Sequence, residues 1–297
     1  MHGTVKRKGI IMKFMAFGQD GRRGLAVETK DGTFRGAFEG EAGYPGDLKT
    51  LLRAGGPALA RAGEALAKGE PVDPAAVTFL PPIADPGKII CVGLNYRDHA
   101  SESGMAAPAH PTIFSRFSSS LIGNGAPIVR PSVSTQLDFE GELVAVIGKG
   151  GRRIAKADAL GHIAGYSLFN DASIRDFQLR TPQWTVGKNF DSTGPFGPYF
   201  VTADALPAGC KGLRLETRLN GETVQSASID DMIFDIETLV AELSVAFTLE
   251  PGDVIVSGTP SGVGMARSPQ LFMKDGDVCE IEVEGLGVLR NPVVDGA

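Results

Sequence analysis

The sequence predicts an α+β fold rich in strands, with a strand-dominated domain over 81–297 preceded by a small α/β unit over 12–80. Three observations carry this. Apolar residues fall mostly in short runs such as "KIICVG", "GELVAVIG" and "GDVIVSG", which are of strand length and bounded by turn residues. Asp-Gly and Asn-Gly pairs, in "QDGR", "KDG" and "LNGE", stand between such runs as hairpin turns. The 39 glycines and 19 prolines follow no period and form no low-complexity tract, so they read as many tight turns.

The elements follow in order. "KFMAFGQDGRRGLAVETKDGTFRGAF" reads as short strands joined by Asp-Gly turns, with Met12 as a candidate alternative start. "GDLKTLLRAGGPALARAGEALAKG" reads as two short helices broken at Gly55-Gly56-Pro57. "PVDPAAVTFLPPIADPGK" carries five prolines and is the natural linker. "KIICVGLNY" is then a strand, and "RDHASESG" after it can form a helical turn. Strands continue through "GELVAVIG", a hairpin at Asn220-Gly221, "GDVIVSGTP" and "DVCEIEVEGLGVLRN". Two helices are expected among them, "KADALGHIAGYSLF" and "MIFDIETLVAELSVAF".

Composition narrows the function. Hydrophobic residues at 42% suffice for a sizeable core, and a net charge of −6 with scattered positive residues speaks against a nucleic-acid partner. No apolar run is long enough to span a bilayer, and "VKRKGIIMKFMAFG" makes a poor signal peptide. The three cysteines, Cys91, Cys210 and Cys279, share no metal-type spacing. They are expected as reduced, buried thiols of a cytoplasmic protein.

The chemistry centres on "DFEGELVAVIG". Residues i and i+2 of a strand point to one side, so Glu140 and Glu142 share a face that Val144 and Val146 continue. An isolated E-x-E is more often a solvated face. Two carboxylates bordering buried apolar surface instead need a cation or a shared proton, and a hard divalent ion fits. "YSLFNDASIRDFQ" offers Asp171 and Asp176 as a third oxygen donor, although Asp171 can equally cap a helix. His99 and Glu102, spaced i and i+3 between Gly93 and Gly104, are either a His–carboxylate base on a hinged segment or a plain polar loop. His2, His110 and His162 are expected in structural or solvated roles. Lys188 in "WTVGKNFD" can meet a substrate oxyanion, though a lone lysine is more commonly on the surface. "SGTPSGVG" lacks a P-loop lysine, but its amides and Thr259 can hold a carboxylate.

In "KIICVGLNYRDHASESG", "QLDFEGELVAVIGKGGRRI", "GYSLFNDASIRDFQ", "WTVGKNFDSTGPFGPYF" and "LEPGDVIVSGTPSGVG", in that order, the chain resembles the fumarylacetoacetate hydrolase family over about residues 80–293. The resemblance implies a rolled mixed β-sheet enclosing the site, in a homodimer. It implies one Mg²⁺ or Mn²⁺ per subunit, held at Glu140, Glu142 and Asp171. His99 with Glu102 would activate water, Lys188 would polarise a substrate oxygen, and Arg116, Gln178 and Thr259 match substrate-contacting positions. Arg116 stands where many members carry lysine, which alters the donor geometry. The implied substrate is a small 2-oxo acid. The first expectation is hydrolysis of an acylpyruvate such as fumarylpyruvate or maleylpyruvate. The alternative is isomerisation or decarboxylation of a 2-oxo diacid, including oxaloacetate, and a non-catalytic 2-oxo-acid binder is the third.

Overall fold

The structure, a computed structural model, describes residues 12–98 and 108–296. It opens with antiparallel strands β1 (Lys13–Gln19), β2 (Arg22–Glu28) and β3 (Phe34–Phe38). Asp20 and Gly21 turn between the first two with φ of 51° and 76°, the left-handed pair that an Asp-Gly hairpin uses. Helices α1 (Leu48–Arg53) and α2 (Gly56–Leu66) follow. Asp47 caps the first through the Thr50 amide, and Pro57 starts the second. Short strands β4 (Glu70–Val72) and β5 (Thr78–Phe79) lie in the proline-rich stretch.

Next come β6 (Ile89–Gly93), β7 (Thr112–Ser115), β8 (Leu121–Ile122), β9 (Ile128–Arg130) and β10 (Leu137–Asp138). The site is carried by β11 (Gly141–Ile147), β12 (Ile163–Asn170), β13 (Ser173–Ile174) and the one-turn α3 (Arg175–Gln178). β14 (Gly194–Thr202) leads to the hairpin of β15 (Arg214–Leu219) and β16 (Glu222–Ser228), which turns at Asn220-Gly221 as expected. The chain closes with α4 (Ile236–Ala246), β17 (Val254–Val256), β18 (Val278–Val283) and β19 (Gly287–Asp295).

Among the described residues a twelve-stranded sheet runs β4-β3-β2-β1-β14-β12-β11-β17-β6-β7, with β5 on β1 and β8 on β14. A five-stranded sheet runs β16-β15-β18-β19-β9. The pairs β17–β6, β8–β14 and β9–β19 are parallel, so the architecture is mixed and β-rich, the α+β class that the sequence predicts. Through β1 on β14, the leading hairpin joins the same sheet as the rest of the chain. β11 is buried on both faces. Leu143, Ala145 and Ile147 share a core with Leu215, Ile281 and Val283 of the smaller sheet, and Val144 and Val146 share one with Phe14, Leu25 and Leu48.

One expected helix is absent. In "KADALGHIAGYSLF" only a 3₁₀ stretch, Lys156–His162, precedes β12, which is hydrogen-bonded between β11 and β14. A central strand buried on both faces carries a continuous apolar run, and such a run mimics one side of a helix. At Gly165 a Cβ would collide with the Val201 carbonyl and the Phe200 ring, so close strand approach decided the residue there.

Candidate active site

Glu140 and Glu142 point the same way because they lie two apart in extended chain at the start of β11. The third carboxylate arrives through register. Gly141 stands opposite Asn170 across β11 and β12, and the Asp171 amide then donates to the Glu140 carbonyl at 2.9 Å. Glu140, Glu142 and Asp171 are all buried, and each offers an oxygen within 4.8 Å of the others. The structure thus separates the two aspartates that the sequence leaves open. Asp176 is only half-buried and accepts a hydrogen bond from Ser134 Oγ at 2.6 Å, outside the cluster. Nor is Asp171 a helix cap, since Ile174 occupies that position for α3.

Gly141, between the two glutamates, permits close approach of the second sheet: a Cβ there would strike Thr217 Oγ1 of β15. Its amide donates to Gln225 Oε1 at 3.0 Å, and its carbonyl accepts from Thr259 Oγ1 at 3.0 Å. The ligand-bearing turn is therefore clamped from β16 and from the turn after β17.

Three buried cations surround the carboxylates. Lys188 Nζ bridges Glu140 at 2.7 Å and Asp171 at 2.6 Å. Arg116 Nη1 donates to the other oxygen of Asp171 at 2.6 Å, and Arg175 Nη1 lies 2.6 Å from Glu140 Oε1. Arg175 Nε donates in turn to Asp138 Oδ2 at 2.8 Å. If all are ionised, Asp138, Glu140, Glu142 and Asp171 outnumber Arg116, Arg175 and Lys188 by one charge. The excess falls on Glu142, which among the described residues accepts one hydrogen bond, from the Gly258 amide at 2.5 Å. Burial, followed by the charges of Asp171 and Glu140, drives its pKa well above the usual carboxylate range. Burial pulls Lys188 down, but Asp171 and Glu140 outweigh it, so its ammonium is held more firmly than usual. Three hard oxygen donors with one uncompensated negative charge fit a divalent cation held by Glu140, Glu142 and Asp171.

A cavity of about 280 Å³ opens onto this cluster, with Glu140, Glu142, Arg175, Gln178, Lys188 and Thr259 facing it. The expected residues divide as follows. Lys188, Gln178 and Thr259 line the cavity, although the Thr259 hydroxyl gives its proton to Gly141 and accepts from Gln225 Nε2 at 2.8 Å. Arg116 stands behind Asp171, tied also to Thr193 Oγ1 at 2.7 Å, rather than on the cavity wall. His99 and Glu102 lie outside the described residues. His162 bonds the Lys149 carbonyl at 2.7 Å and His110 is exposed.

Sequence reasoning missed Asp138 and Arg175. Asp138 is fully buried and accepts from the Gly264 and Met265 amides at 2.7 and 2.9 Å while it holds Arg175. The Gly-rich turn thus holds carboxylates as its composition suggests, but they are the protein's own, Asp138 and Glu142. The available signal was Asp138 directly before Phe139-Glu140, together with Arg175 three residues before Gln178, whose Oε1 accepts from it at 2.8 Å.

Comparison with known proteins places the chain in a family. The fumarylacetoacetate (FAA) hydrolase C-terminal family matches residues 88–294. The chain is 44% identical over 253 residues to human "oxaloacetate tautomerase FAHD2A, mitochondrial", covering 84% of this chain and 80% of that protein. The solved structure of a fumarylacetoacetate hydrolase from psychrophilic Exiguobacterium antarcticum superposes with a TM-score of 0.83 at 37% identity, covering 96% of this chain and all of that one. A 5-carboxymethyl-2-hydroxymuconate delta-isomerase from Mycobacterium smegmatis does so with a TM-score of 0.75 at 32% identity, with the same coverage.

Proposed function

The chain belongs to the fumarylacetoacetate hydrolase family, and from that premise we propose that it is a divalent-metal-dependent enzyme that interconverts the enol and keto forms of a small 2-oxo acid of the oxaloacetate type. One observation carries the reading: a buried carboxylate triad, which with Asp138 outnumbers its three cations by one charge, opens through Glu140 and Glu142 onto a cavity beside a firmly protonated lysine. Tautomerisation moves one proton between the 2-oxo oxygen and the carbon next to the carbonyl, through an enolate, so the site must stabilise a negative oxygen. A Mg²⁺ or Mn²⁺ ion held by Glu140, Glu142 and Asp171 would supply a Lewis acid for the 2-oxo group. The Lys188 ammonium, facing the cavity, adds a second positive charge at the enolate oxygen. Arg175 and Gln178, hydrogen-bonded to each other, present a cation and an amide to the substrate carboxylate. We assign the proton transfer to His99 backed by Glu102, on the family resemblance alone.

Relatives named as an oxaloacetate tautomerase and a delta-isomerase support enol chemistry without cleavage. Hydrolysis of an acylpyruvate is the second reading, favoured by likeness to a fumarylacetoacetate hydrolase and by the His99–Glu102 pair, which could activate water for attack on a distal carbonyl. We also propose a homodimer, from the family resemblance, and a cytoplasmic location, consistent with three buried free thiols.

The test follows enol absorbance after adding oxaloacetate enol, with and without Mg²⁺, while total oxaloacetate and pyruvate are assayed. Rapid enol loss with total oxaloacetate conserved is expected, and chelation should abolish it. Lys188→Met should slow it by about 100-fold or more, the usual effect of losing a group that stabilises a developing oxyanion. Pyruvate and CO₂ in place of keto product would replace tautomerisation by decarboxylation. Turnover confined to acylpyruvates would favour the hydrolase.

A further inference from the structure

We infer that Gln225 is a positioning residue for the metal site: one buried amide on the smaller sheet sets where Glu140 and Glu142 present their carboxylates and how Thr259 orients its hydroxyl. The inference rests on the functional reading above for its divalent ion alone, whichever 2-oxo acid reacts. Gln225 lies on β16, opposite Thr217 of β15, and is 2% exposed. The same sheet shares a core with β11 through apolar side chains, Leu215, Ile281 and Val283. An apolar residue would satisfy packing at this position as well, whereas a buried amide costs stability unless it is hydrogen-bonded. Here Oε1 accepts from the Gly141 amide at 3.0 Å, and the two Nε2 protons go to Thr259 Oγ1 at 2.8 Å and to the Pro260 carbonyl at 2.9 Å.

These partners are the two sides of the carboxylate cradle. Gly141 is the residue between Glu140 and Glu142. Thr259 and Pro260 follow Gly258, whose amide donates to Glu142 Oε2 at 2.5 Å. The Thr259 hydroxyl accepts from Gln225 and donates to the Gly141 carbonyl at 3.0 Å, so the amide also fixes which way that hydroxyl proton points. A side chain that both accepts once and donates twice is needed, and glutamine supplies it where an ionised glutamate or a methionine does not. Without it, the turn that steadies Glu142 is free to shift against the turn that carries Glu142. Loss of such a supporting residue costs about 10–100-fold in metal affinity.

The experiment titrates the metal-free full chain with Mn²⁺, read by loss of the free-ion electron paramagnetic resonance signal. It compares wild type with Gln225→Met, Thr259→Val and the double variant, and takes Thr217→Ala as the packing control. Thr217 faces Gly141 from the neighbouring strand, and its hydroxyl has no hydrogen-bond partner among the described residues, so its loss removes volume but no polar tie. Expected is a Kd raised about 10–100-fold in Gln225→Met and by much less in Thr217→Ala. Thr259→Val should weaken binding alone, and by a smaller factor once Gln225 is already gone, since the two side chains act through one link. An unchanged Kd in Gln225→Met, an equal loss in Thr217→Ala, or factors that simply multiply in the double variant would overturn the inference. Should Gln225→Met fail to fold, Thr259→Val breaks the same link from its far side, and an unchanged Kd there overturns it equally. Wild-type protein that binds no Mn²⁺ would overturn the metal reading itself and the inference with it. Because no turnover is measured, the identity of the reaction does not enter the result.

Discussion

At the residue scale the site is governed by Glu142. A carboxylate taken from water and set beside two others is stable only if it is protonated or paired with a cation. Its folded pKa therefore lies above its unfolded one, so at this group the folded metal-free protein holds a proton that the unfolded chain has lost. Its contribution to the stability of the metal-free protein is then fully present below the ordinary glutamate value and is lost as pH rises past it. An added dication requires the ionised carboxylate, so its stabilising effect should grow over the same range. Thermal midpoints across a pH series, with chelator and with Mn²⁺, should diverge as pH rises, and parallel curves would remove Glu142 from the ion site. Glu140 and Glu142 were legible in the sequence because a strand's two-residue period places them together without knowledge of the fold. Arg175 and Asp138 were not, since nothing local distinguishes a buried arginine paired across 37 residues from one in water.

At the element scale, the pairing of β11 with β12 makes the site. It brings Asp171 to Glu140, and the alternation along β11 sends alternate side chains into two different cores. Choosing Asp171 over Asp176 depends on this long-range register, which a single sequence does not display. The same burial on both faces disguised β12 as a helix, whereas the hairpins at Asp20-Gly21 and Asn220-Gly221 were legible because their turns are written locally. Gly141 gives the sharpest test of an element. Adding a methyl must push Thr217 and β15 away from the ligand-bearing turn, so Gly141→Ala should cost about 1–3 kcal/mol in denaturant unfolding and weaken ion binding. Adding Thr217→Ala to that variant should recover part of the loss, a non-additivity expected only of side chains in contact.

At the scale of the whole molecule, strands of the large mixed sheet, α3 and the turn after β17 line a cavity onto which the carboxylates open, and the smaller sheet packs against β11. The leading strands add to the same sheet and to the core beneath β11, so the site rests on residues from both the start and the end of the chain. The central claim is that this scaffold exists to hold one divalent ion at Glu140, Glu142 and Asp171. Titration of the metal-free protein with Mn²⁺, read by loss of the free-ion electron paramagnetic resonance signal, tests it most directly. One ion per chain is predicted for wild type. For Asp171→Asn or Glu142→Gln, affinity should fall by no less than the roughly 10–100-fold that loss of a supporting residue alone costs. Unchanged stoichiometry and affinity in both variants would contradict the claim.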